Sequence, residues 1–174
     1  MELRAHGIVL RDWRLDDAPA VAAACADPDI ARWLPLVPVP YTHEDAVTYI
    51  RNCLDSEDSR KPFAIVDPDT DELLGAIDLG VNGWRTGRIG YWVAPGVRGR
   101  GVCTAALHVL SRWAIEELRL GRLELMTDPD NTASQRVAEK AGYTKEALLR
   151  SVIEYRDGSR ADAVMFSLLP AELR

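Results

Sequence analysis

Cysteine is scarce in this 174-residue sequence: Cys25, Cys53 and Cys103 are widely spaced, odd in number and free of any CxxC pair. That excludes a disulfide framework and points to free thiols in a reducing compartment. Histidine is no more plentiful, and His6, His43 and His108 form no zinc-ligand spacing with the cysteines, so no metal is expected. No apolar run approaches the ~20 residues of a membrane span. The opening residues Met1-Glu2-Leu3-Arg4 also lack the apolar stretch of a secretory leader. The expectation is a cytoplasmic protein with no membrane partner. Positive charge is in deficit as well, with 21 Lys and Arg against 27 Asp and Glu and a net charge of −6. This excludes a protein that coats nucleic acid, and it favours a cationic partner.

Internal repeats, low-complexity tracts and long linkers are missing too, which leaves one domain over residues 1–174. Apolar residues make up 47% and charged residues 28%, ordinary for a folded chain. At this length folding should bury roughly 70% of the extended chain's surface, enough for a core without staples.

Residues 8–13 read as a first strand, and Asp16 as the cap of a helix through Val21 and Cys25. The cluster Asp27-Pro28-Asp29 should end that helix, and Pro35, Pro38 and Pro40 make residues 33–41 irregular. Thr42 caps a second helix whose apolar face carries Ala46, Tyr49, Ile50 and Cys53. A hairpin follows over 62–66 and 73–79, then a strand over 88–93 and a helix from near Gly101 to before Gly121. Residues 122–127 alternate as a strand, and Thr132 to Gln135 form a capping box for a helix closed by Lys140 and Gly142. Asp157-Gly158 joins a final hairpin over 143–155 and 160–169. The order gives an α/β (α+β) fold with a mixed, mainly antiparallel, seven-stranded sheet and about four helices.

The most informative segment runs from Val93 to Thr104, where a strand ends and a helix begins. Its glycines allow tight turning and close backbone approach, and a helix's first N–H groups bind phosphate oxygens. Arg98 and Arg100 add positive charge there. Two common phosphate loops fail: no Lys-Ser/Thr pair follows, and Thr104 stands where a dinucleotide fingerprint needs its third glycine.

The run Arg98-Gly99-Arg100-Gly101-Val102-Cys103 resembles the pyrophosphate loop of the GCN5-related N-acetyltransferases, with Cys in a final position that is usually Gly or Ala. Asn131-Thr132-Ala133-Ser134 before Glu139-Lys140-Ala141-Gly142-Tyr143 resembles the RimJ/RimL branch, which acetylates ribosomal-protein N-termini. Leu10-Arg11 with Asp16-Asp17-Ala18, Trp33-Leu34, Tyr41-Thr42 and the last hairpin agree with that branch.

The resemblance implies a GNAT fold and acetyl-CoA as co-substrate. Its pyrophosphate would lie on the backbone of Arg98, Gly99, Arg100, Gly101, Val102, Cys103 and Thr104, and its pantetheine arm would pair with Tyr91, Trp92 and Val93. A backbone N–H near Trp92 or Val93 would polarise the thioester. Ser134 matches the general acid, Asn131 a residue that bonds CoA or orders a water, and Glu154 a general base whose place a water could take. Arg112, Arg136 and Lys140 are candidates for the 3′-phosphate, and residues 33–41 with Trp84 for the acceptor side. The acceptor is a peptide N-terminal α-amine or a small-molecule amine, and a non-catalytic acyl-CoA-binding module is the alternative to both. An α-amine, with a pKa of about 7.7–8.0, needs less help to deprotonate than a lysine near 10.4. Exposed strand edges or helix faces leave room for a homodimer, which no motif specifies.

Overall fold

The computed structural model describes residues 1–5 and 7–173; His6 and Arg174 lie outside them. The strands are β1 (Glu2–Ala5), β2 (Ile8–Arg11), β3 (Arg60–Val66), β4 (Leu73–Val81), β5 (Thr86–Val93), β6 (Arg122–Thr127), β7 (Thr144–Glu154) and β8 (Arg160–Leu168). The helices are α1 (Ala18–Cys25), α2 (Pro28–Trp33), α3 (His43–Leu54), α4 (Val102–Glu116) and α5 (Thr132–Lys140). One sheet holds all eight strands in the order β1-β2-β3-β4-β5-β6-β8-β7. Every neighbouring pair is antiparallel except β5 and β6, which run parallel.

Strand alternation sorts the core onto two faces. Phe63, Ile65, Ile77 and Leu79 point to the face covered by α4 and α5, where Leu107, Leu110 and Ala114 are fully buried. Phe63 and Trp113 meet edge to face at 6.0 Å. Ala64, Val66 and Ala76 point to the other face, under α1 and α3, with Val21, Ile50 and Trp13. Each large side chain buried this way stabilises the fold by roughly 1.5–3 kcal/mol. Thr42 and Asp45 cap α3 reciprocally, Asp45 N donating to Thr42 Oγ1 at 3.2 Å and Thr42 N to Asp45 Oδ2 at 2.8 Å.

The pairing of Leu10-Arg11 with Asp16-Asp17 in the sequence has a physical cause. Buried Arg11 grips Asp17 through two bonds of 2.9 and 2.8 Å and reaches Asp71 at 2.8 Å. It thereby locks β2 to the entry of α1 and to the β3–β4 turn.

Five expectations need correction, the first being that Asp16 caps α1: it lies within a 3-10 turn over Leu15–Asp17, and Asp17 stands at the cap. The sheet has eight strands rather than seven, because β1 pairs only with β2 and, as an edge, carries little apolar alternation. There are five helices, because Asp27 ends α1 and also starts α2, its carboxylate accepting from Asp29 N at 3.0 Å and Ile30 N at 3.2 Å. The β2 strand stops at Arg11 instead of Trp13. The cap of α5 is Asn131 rather than a box starting at Thr132, since its Oδ1 accepts from Ser134 N at 3.1 Å.

Candidate active site

Between β5 and β6 the sheet opens. The two strands pair from Thr86 opposite Arg122 to Ile89 opposite Leu125, and then separate. Gly90 to Val93 stay with β4, while Met126 and Thr127 stay with β8. A cleft of about 750 Å³ fills the resulting V. The N–H of Ala94 donates to Leu74 on the β4 side at 2.8 Å. Strand alternation therefore turns the N–H groups of Tyr91 and Val93 toward the gap. Gly75 permits this closeness of β4 and β5, because a methyl group there would overlap the Trp92 carbonyl oxygen. Strand pairing, illegible in the sequence, is what makes Gly75 matter.

The glycine-arginine turn closes one end of the cleft. Gly99 and Gly101 sit at φ +77° and +82°, left-handed values that favour glycine. Gly101 caps α4 with its backbone, so the N–H groups of Val102, Cys103 and Thr104 lack intrahelical acceptors at the positive end of the helix dipole. The two arginines lie elsewhere than the charge pattern suggests. Arg98 lines the cleft, but its guanidinium binds Asp27 at 2.7 Å and Asp29 at 3.2 Å, holding the Asp27 carboxyl below its ordinary range. Arg100 borders a separate pocket of about 400 Å³ with Gly7, Asp67 and Leu74. Arg136 and Lys140 on α5 line the main cleft and have no carboxylate partner among the described residues. Burial pushes the Cys103 thiol up to about 12, so it stays protonated and acts as a small apolar wall.

Ser134 stands on the first turn of α5, facing β5 across the cleft. Its hydroxyl lies 3.0 Å from the Tyr91 hydroxyl, which also donates to the Ser134 carbonyl at 3.3 Å. Burial raises the Tyr91 phenol further above its usual value, so it remains a neutral hydrogen-bonding group. Thus Tyr91, Trp92, Val93, Arg98, Gly99, Gly101, Val102, Cys103, Thr104, Asn131, Ser134 and Glu154 share one cleft, and Arg100 does not line it. The side-chain contact between Tyr91 and Ser134 spans 43 residues and leaves no local signal in the sequence.

The acceptor side is built by α2 and the β7–β8 hairpin. Trp33, Leu34 and Pro35 line the cleft there, opposite Val152 and Ile153. Arg156 joins the two walls, donating to the carbonyls of Ala31 at 2.9 Å, Leu34 at 3.0 Å and Val37 at 2.7 Å. Ala31 lies in the last turn of α2 and Leu34 and Val37 just beyond its end, where a cation also suits the dipole. Glu154 ends β7 with its carboxylate 2.6 Å from Arg160 and its side chain 64% exposed. Tyr155 donates to Asp128 at 2.6 Å, and burial together with that carboxylate pushes the phenol up to about 12. Two acceptor-side expectations fail. Trp84 occupies the β4–β5 turn, 89% exposed and at the opposite end of β5 from the cleft. Tyr41 packs with the α1–α3 core, its hydroxyl against Cys25.

Among the described residues no group of three His, Cys, Asp or Glu side chains could hold a metal ion, and no helix is long and apolar enough to cross a membrane.

Comparison with known proteins agrees with this geometry. The acetyltransferase (GNAT) domain family model matches residues 8–144. The uncharacterized N-acetyltransferase p20 of Bacillus licheniformis is 30% identical over 174 residues, covering 98% of this chain and 97% of p20. Mycobacterium smegmatis RimJ, solved in complex with CoA-disulfide, superposes with a TM-score of 0.85 at 28% identity, covering 99% of this chain and 88% of RimJ. RimL, the ribosomal L7/L12 α-N-protein acetyltransferase solved with coenzyme A, shares the fold with a TM-score of 0.86 at 19% identity, over 97% and 98% of the two chains.

Proposed function

This chain belongs to the acetyltransferase (GNAT) family, and we propose that it moves an acetyl group from acetyl-CoA to a primary amine, the α-amine of a peptide or protein N-terminus. The observation that carries the reading is the parting of β5 and β6 beside a glycine-turned helix N-terminus. Acetyl-CoA supplies an activated thioester. The residues present fit it: the α4 N–H groups suit a pyrophosphate, Arg136 and Lys140 suit a further phosphate, and the free edge of β5 suits an extended amide-bearing arm.

Val93 N–H faces the gap and would donate to the thioester oxygen as charge gathers there; removing one such donor in other enzymes costs about 100- to 1000-fold in rate. Ser134 would give its hydroxyl proton to the leaving sulfur, with Tyr91 holding that hydroxyl in the cleft. The Asn131 carbonyl oxygen caps Ser134 N, which leaves its NH2 group to donate to CoA or a water. The acceptor amine gives up its proton to Glu154 or to water. An α-amine, with a pKa near 7.7–8.0, is mostly cationic at pH 7 but keeps roughly a tenth of its molecules neutral without a strong base, which agrees with a Glu154 that is exposed and already paired.

The test follows free thiol released from acetyl-CoA with peptide N-termini, polyamines and aminoglycosides as acceptors. Turnover with peptide α-amines is expected. Tight CoA binding without thiol release from any acceptor would leave only a binding module, and turnover confined to polyamines or aminoglycosides would replace the peptide acceptor.

A further inference from the structure

Three carboxylates line the cleft: Asp29, Asp128 and Glu154. Two already face a cation, since Asp29 lies 3.2 Å from Arg98 and Glu154 lies 2.6 Å from Arg160. Asp128 has no ion-pair partner among the described residues. Its oxygens are held by neutral donors instead, Oδ2 by the Tyr155 hydroxyl at 2.6 Å and Oδ1 by Asp130 N at 2.7 Å. Neutral donors orient a carboxylate without neutralising it, and the nearby Arg32, which acts on Tyr155 through space, forms no ion pair with Asp128, so the carboxylate still attracts a cation.

Its position suits the reaction. Asp128 directly follows β6, on the arm of the V that faces the free end of β5. Its carbonyl accepts from Asn131 N at 3.0 Å, which fixes it relative to the turn that carries Ser134. With backbone and side chain both tied, little conformational freedom is left to lose when a ligand binds. Trp33, Leu34, Pro35, Met126, Val152 and Ile153 give the same cleft an apolar lining. Glu154 has the opposite character, exposed and facing its own arginine.

We propose that Asp128, oriented by Tyr155, receives the amino group of the acceptor through a charge-assisted hydrogen bond and thereby selects cationic primary amines. The proposal rests on the acetyl-transfer reading of the cleft and extends it to the acceptor. Asp128 is a binding residue here and Tyr155 a positioning residue.

The first experiment compares Asp128→Asn, Tyr155→Phe and Glu154→Gln with the wild type, using a short peptide acceptor. Asp128→Asn should raise the acceptor KM at least about 10-fold, the scale of a lost hydrogen bond to a charged group, with the Kd for acetyl-CoA unchanged. Tyr155→Phe should raise the same KM less, and Glu154→Gln, at the candidate general base, should bear on kcat rather than on this KM. A second measurement needs neither a variant nor turnover. The CoA-loaded wild-type protein, with 13C-labelled carboxyls, is titrated with the peptide and with its N-acetylated form. The Asp128 carboxyl signal should move with the free amine and stay still with the blocked one. Movement of the Glu154 signal instead, or of neither, overturns the proposal, as does an Asp128→Asn KM equal to wild type. Binding at Asp128 without thiol release from acetyl-CoA would refute the transfer reading and leave the amine site standing.

Discussion

The two ends of the β5–β6 pair share strands and neighbours but serve opposite purposes. From Thr86 to Ile89 the strands are zipped together over buried Leu123 and Leu125. A Cβ on Gly87 would come within 2.6 Å of Leu79, 2.8 Å of Leu123 and 2.9 Å of Leu120. Three residues on, a Cβ on Gly90 would meet nothing within 4 Å, and β5 runs along an open cleft as far as Val93. The zipped end is therefore limited by packing. The open end keeps backbone polar groups without strand partners, a cost that only a ligand or water can offset. Stability and chemistry occupy different stretches of one strand, and mutations can address them separately.

The largest effect belongs to the open end. Ser134→Ala should lower kcat about 100-fold, or about 2.7 kcal/mol in barrier, while leaving CoA affinity and melting temperature unchanged. Steady-state kinetics beside a thermal melt checks this, and an equal loss of Tm would make Ser134 structural. At the zipped end the pattern should reverse. Gly87→Ala overpacks three leucine methyls and should cost roughly 1–3 kcal/mol of stability in urea unfolding, with kcat per folded molecule retained. Gly90→Ala should stay within about 0.5 kcal/mol of wild type in the same unfolding experiment. Equal losses at both glycines would erase the contrast.

How much of this could be read beforehand depended on whether a feature was local. The β6 strand stood out at Arg122–Thr127, and the last hairpin about Asp157-Gly158, because alternation and turn chemistry are carried by adjacent residues. The β1 edge strand and six-residue α2 were missed, the first for want of an apolar face and the second because it is too short for a helical period. The site divides the same way. Gly99 and Gly101 announce a ligand-approaching turn locally, whereas the Arg98 pairs with Asp27 and Asp29 join residues 71 and 69 positions apart and exist only after folding. Long-range carboxylates are also what turned Arg98 from a free charge into a tie between the loop and α2.

A smaller effect than that at Gly87 concerns the ion pairs that brace the zipped end. Arg122 on β6 binds Glu146 on β7, and with help from the Ser167 hydroxyl it holds the Glu146 carboxyl down to about 2. A carboxyl depressed in the folded state contributes stability above its ordinary value near 4.5 and loses it as pH falls toward 2. Because Glu146 is about one-third exposed, solvent screening limits the gain to roughly 0.5–1 kcal/mol. Urea midpoints of wild type and Glu146→Gln should therefore differ at pH 6 and converge near pH 2. A constant difference would assign the loss to packing.

The central claim is that the open end of β5 and the glycine turn together seat acetyl-CoA. Amide chemical shifts of 15N-labelled protein during an acetyl-CoA titration test it most directly. The account predicts shifts at Tyr91, Val93, Gly99 and Gly101 to Thr104, with Thr86 to Ile89 and Arg122 to Leu125 unmoved. Shifts centred on the separate pocket at Gly7, Asp67 and Arg100, or on the zipped end, would contradict it.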